Sequence, residues 1–74
     1  MIQLRFIHPN PERVGPVVGP FAALHVTANN IREHTATGLL VAAFDTQSHM
    51  WYVAPGYDPS PAPSTYDDFV IEVA

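Results

Sequence analysis

The sequence predicts an all-β fold, a small antiparallel meander or a partly open barrel, and three observations carry that expectation. The stretches IQLRFI (residues 2–7) and DFVIEVA (68–74) alternate apolar and other residues with the period of a strand. Near the middle, the apolar run Leu39 to Phe44 and the β-rich run HMWYVA flank the turn formers DTQS. In HVTANN, β-branched residues followed by two asparagines disfavour a helix interior. The alternative is an α+β fold, with one helix at about 21–33 laid on an antiparallel sheet. Seventy-four residues make one domain, 1–74. A chain of this length buries only roughly 60% of its unfolded surface, so its core is small.

In chain order, Ile2, Leu4 and Phe6 form the richer apolar face of a first strand. HPNPERVGPVVGP follows, where Pro9, Pro11, Pro16 and Pro20 lack amide donors and Gly15 and Gly19 permit turns. That composition predicts a loop or an irregular edge. In FAALHVTANNIREH, the residues Phe21, Leu24, Ala28 and Ile31 fit a helical stripe behind Pro20. The same segment also reads as a hairpin, with Asn29-Asn30 as its two-residue turn and Leu24, Val26 and Ala28 alternating before it. The β-branched content favours the hairpin. TGLLVAAFDTQSHMWYVAPG is the best hairpin in the chain and the expected core. After the proline-rich tract, Phe69, Ile71 and Val73 define a last strand. No internal repeat or heptad is visible.

Charge divides the chain unevenly. Residues 1–44 hold Arg5, Arg13 and Arg32 against Glu12 and Glu33, whereas 45–74 hold Asp45, Asp58, Asp67, Asp68 and Glu72 with no cation, giving the net of −4. Lysine is absent. Phosphate backbones are bound by clustered cations, so direct nucleic-acid binding is not expected. An acidic half suits a basic protein surface, or simply keeps a sparsely charged chain in solution. Without cysteine there are no disulfides or cysteine-held metals. No apolar run approaches the roughly 20 residues of a membrane helix, and the N-terminus lacks the cationic start of a signal peptide. A cytoplasmic protein with no membrane partner is expected.

Catalytic and cofactor chemistry find little support. His8, His25, His34 and His49 are separated by 17, 9 and 15 residues, none of them a metal-ligand spacing. Neighbours on a strand face opposite ways, so Asp67 and Asp68 would not converge on one ion or substrate. Ser48-His49 adjacency is no triad, because triads assemble in space. A phosphate loop and a nucleophile elbow are both missing. The expectation is a non-enzyme with no cofactor and no metal.

The tract YDPSPAPSTYDD (57–68) carries the candidate site. Tyr57 and Tyr66 are the candidate partner-binding anchors, with Asp58, Asp67 and Asp68 steering toward a basic surface and Arg5 and Arg13 as further polar contacts. The competing reading has both tyrosine rings covering a small core with their hydroxyls in water. The remaining phenylalanines are assigned to the core, and of Trp51 and Tyr52 one should face inward and one outward. Pro59, Pro61 and Pro63 are spaced by two, so the PxxP code is absent, yet they stiffen the tract between its Tyr-Asp pairs. No cation lies near the tract in sequence. A structural alternative is self-assembly, with IQLRFI and DFVIEVA as edge strands pairing between copies into a dimer or virion component.

The cysteine-free, lysine-free acidic chain, with IQLRFI at one end and YDPSPAPSTYDDFVIE at the other, resembles in type the small phage-encoded regulators that bind bacterial RNA polymerase. The resemblance covers the whole length without a diagnostic motif and transfers no residue role. It implies a viral protein acting in the host cytoplasm, binding polymerase to inhibit initiation or promote antitermination, without enzymatic activity.

Overall fold

A computed structural model describes residues 1–58 and 65–74. The strands β1 (Ile2–Ile7), β2 (Val14–Phe21) and β8 (Val70–Val73) form a three-stranded antiparallel sheet in the order β2-β1-β8. The strands β3 (Leu24–Val26), β4 (Asn30–Glu33), β5 (Leu40–Asp45), β6 (Met50–Val53) and β7 (Thr65–Asp67) form a five-stranded sheet in sequence order, a strict antiparallel meander. The all-β expectation holds. There is no helix among the described residues, and the two sheets do not close into a barrel.

Alternation on β1 is as expected: Leu4 and Phe6 are buried while Gln3, Arg5 and Ile7 face out. Together with Val18 and Phe21 of β2 they meet Ile31, Val41, Ala42 and Val53 of the second sheet, and Phe69 closes one end. Val41 and Ala42 are consecutive yet both fully buried. The pairings Ile31↔Ala42 and Arg32↔Leu40 leave Val41 as an extra residue on β5, and this bulge lets two neighbours turn to the same side.

Three sequence expectations need correction. The segment 8–20 is not a loop throughout, because β2 occupies its second half. β2 pairs with β1 through Ile2↔Phe21, Leu4↔Val18, Arg5↔Val17 and Ile7↔Val14, so one extra β2 residue is absorbed opposite Gln3 and another opposite Phe6. Pro20 and Pro16 sit in these two bulges on an edge strand, where a missing amide donor does no harm to the ladder. Gly15 shares the second bulge, and a Cβ there would collide with the Phe6 backbone and lie 2.7 Å from the Phe69 ring. Next, IQLRFI is the central strand of its sheet and not an edge. Finally, Phe44 is only half-buried and lies outside the core cluster to which the phenylalanines were assigned.

Segment 21–34 is a hairpin, and the helix alternative fails. Its turn lies one residue earlier than expected: Val26 pairs with Ile31, Thr27 N–H donates to Asn30 O at 2.9 Å, and Ala28-Asn29 are the turn residues. Thr27 decides this, because its Oγ1 accepts from Asn30 N–H at 3.2 Å and bonds the Asn30 side chain at 3.1 Å. The β5–β6 turn includes His49, which takes a positive φ of 55°. Strand β7 has no counterpart in the sequence reading. It carries Tyr66, pairing Trp51↔Tyr66.

Candidate protein-docking surface

The two tyrosines lie on the core. The Tyr57 ring packs on Phe21 at 5.7 Å, and its hydroxyl donates to Glu33 Oε2 at 2.6 Å. Glu33 thereby holds the phenol above its ordinary value of 10.0, mainly through that hydrogen bond. The Tyr66 ring packs on Phe6 at 5.4 Å and Phe69 at 5.6 Å. Its hydroxyl donates to the Asp58 carboxylate at 2.9 and 3.0 Å, so a direct bond joins the two Tyr-Asp pairs. The proline stiffening expected between them falls on residues 59–64, outside the described residues.

Arginines absent from the acidic half of the sequence reach it through the fold. Arg5 pairs with Glu72 at 3.1 Å across β1 and β8. Arg13 pairs with Asp67 at 2.9 Å and lies over the Phe69 ring, 5.4 Å from its centre. The Arg13 guanidinium is the main cause that holds the Asp67 carboxyl below its ordinary 3.8. Sequence distance hid both partnerships, and the expectation of an unneutralised tract is corrected for Asp67. Asp68 is different. It sits at a positive φ of 60°, and its carboxylate makes no hydrogen bond or ion pair among the described residues.

The histidines serve separate neighbourhoods. His25 and His34 face each other on the β3–β4 hairpin at 6.2 Å, His8 stands against Phe69 and His49 against Phe44. No group of three or more His, Asp or Glu that could hold a metal occurs among the described residues. Asp45, four residues before His49, instead accepts Gln47 N–H at 2.9 Å and holds the turn, a contact that lowers its carboxyl.

A surface assembles from residues that the sequence reading left aside. On the outer side of the three-stranded sheet, Val14, Ile7 and Val70 are cross-strand neighbours in one row, all exposed, with Val17 beside Arg5 in the next. Val70 also lines an open cleft of about 350 Å³ with Ala28, Phe44, His49, Trp51, Asp68 and Phe69. Phe44 and Trp51 contact at 5.1 Å with their planes 52° apart, and Asp68 N–H donates to His49 O at 3.1 Å, tying the two turns at its rim. Among the described residues, the cleft is lined by one imidazole and one carboxylate and by no hydroxyl, thiol or amine nucleophile. The Trp51-Tyr52 dipeptide was the available signal: Tyr52 faces out, and Trp51, the inward residue, still lines the cleft.

No protein-family model matches the chain, and neither curated proteins nor solved structures give a match.

Proposed function

We propose that the chain is a non-enzymatic protein-binding regulator that docks on a larger protein with a basic surface. The strip running from Val14 through Ile7 and Val70 to the aromatic cleft is the observation that carries the reading. Contiguous exposed apolar side chains with a charged rim mark protein-binding surfaces, and here the rim holds Arg5–Glu72 and Asp68. The net charge of −4 favours encounter with a cationic partner. The likeness in type to small phage regulators makes bacterial RNA polymerase the first partner to try, with inhibition of initiation or antitermination as the outcome. Immobilised protein should retain purified polymerase, and Val70→Glu should abolish retention. Absence of retention, or equal retention by the variant, defeats the polymerase assignment.

Self-assembly is the second reading, favoured by one observation. β8 is an edge strand without proline, whereas the opposite edge, β2, is guarded by two bulges and two prolines. Light scattering over a concentration series separates the readings, since a stable oligomer that ignores polymerase supports assembly.

A further inference from the structure

We infer that the Phe44–Trp51–Asp68 cleft is a receptor for one arginine side chain of the partner. The inference rests on the protein-binding reading and specifies its chemistry. Three aromatic rings, those of Phe44, Trp51 and Phe69, and one carboxylate, that of Asp68, line the cleft. Its volume of about 350 Å³ lies near the lower end of the ~300–1,000 Å³ range of ligand pockets. That is room for a single extended side chain, with its apolar stem along Val70 and Ala28 and its charged end at Asp68. Guanidinium suits such a site better than ammonium: it is planar, weakly hydrated, stacks on aromatic faces and pairs with carboxylates through two parallel N–H bonds.

The chain already contains the same recognition unit satisfied from within. On Phe69, Arg13 lies over the ring and bonds Asp67. Phe69 also lines the cleft, where the preceding residue, Asp68, has its carboxylate without an ion-pair partner among the described residues. Adjacent carboxylates thus border one ring, one joined to the chain's own arginine and the other left at the cleft. The positive φ of Asp68 and its backbone bond to His49 set the backbone from which that carboxylate projects.

Trp51 is the only tryptophan, so its indole N–H resonance reports the cleft directly. The test titrates the intact protein with acetyl-Gly-Arg-Gly-amide and with its lysine and citrulline counterparts, all at one fixed pH and ionic strength. The arginine peptide should shift the indole resonance saturably, in the millimolar range expected for one side chain. The lysine peptide should bind more weakly, and the uncharged citrulline peptide should give no saturable shift. Asp68→Asn, which tolerates the same backbone conformation, should weaken arginine binding roughly five-fold. Equal binding of citrulline or lysine, indifference to Asp68→Asn, or no saturable shift up to the solubility limit overturns the inference. Retention of polymerase, read separately with Val70→Glu, shows whether the docking reading falls with it.

Discussion

The three-stranded and five-stranded sheets share one core but are specified by different means. In the five-stranded meander, strand follows strand, and apolar runs set the register with a bulge at Val41. In the three-stranded sheet, β8 returns from the far end of the chain to β1, while β2 keeps register only through two bulges of glycine and proline. Local pattern builds the first; close backbone approach and long-range closure build the second. The smaller sheet should therefore be the more sensitive to a change in backbone freedom, while loss of buried side-chain volume should be felt by the core that both share.

The largest effect should come from Gly15→Val, whose side chain would meet the Phe6 backbone and the Phe69 ring. A loss of roughly 3 kcal/mol or more is expected in urea unfolding. Gly56→Val, where a Cβ meets open space, should change stability by less than ~0.5 kcal/mol. If the two variants behave alike, backbone approach is not what distinguishes β2. Leu4→Ala removes a fully buried side chain of the smaller sheet and should cost about 2–5 kcal/mol. Ile31→Val in the larger sheet should cost about 0.5–1.5 kcal/mol. Trp51 fluorescence and far-UV circular dichroism should show coincident unfolding midpoints in both variants, since the sheets share a core. Separated midpoints after Leu4→Ala would mean that the sheets unfold independently.

Smaller effects probe the contacts between sheets. Asp67 has its pKa depressed in the fold, chiefly by Arg13, so its contribution is present above the ordinary carboxyl value of 3.8 and is lost as pH falls through the lower folded value. Arg13→Gln should flatten that acid limb of the thermal midpoint without moving the neutral-pH plateau much, because the pair is solvent-exposed. An acid limb unchanged in the variant would show that Arg13 does not fasten β7 to the first sheet. Tyr57 runs the other way: its phenol is raised, so the contribution is full below 10.0 and disappears as pH climbs through the folded value. Tyr57→Phe should remove that alkaline dependence and change little else, as followed by thermal unfolding at stepped pH.

Much of the fold was legible where side chains alone decide it. Ile2, Leu4 and Phe6 announced β1, and the runs around DTQS announced β5 and β6. β2 was hidden because glycine and proline are loop signals until a partner strand shows them to be bulge residues. The turn of the β3–β4 hairpin moved by one residue because a threonine hydroxyl outcompeted the expected Asn-Asn geometry. Of the candidate partner-binding residues, Asp68 lines the cleft, while Tyr57, Tyr66, Asp58, Asp67, Arg5 and Arg13 have partners within the chain. The cleft itself was not legible. Phe44, Trp51 and Val70 come from three strands, and only tertiary folding makes them neighbours.

The bond from the Tyr66 hydroxyl to Asp58 has a practical meaning for protein engineering. β7 is a three-residue edge strand paired on one side to β6, and this hydroxyl ties its middle residue to the segment that follows β6. Tyr66→Phe removes that tie while the ring stays on Phe6 and Phe69, so one substitution separates tethering from packing.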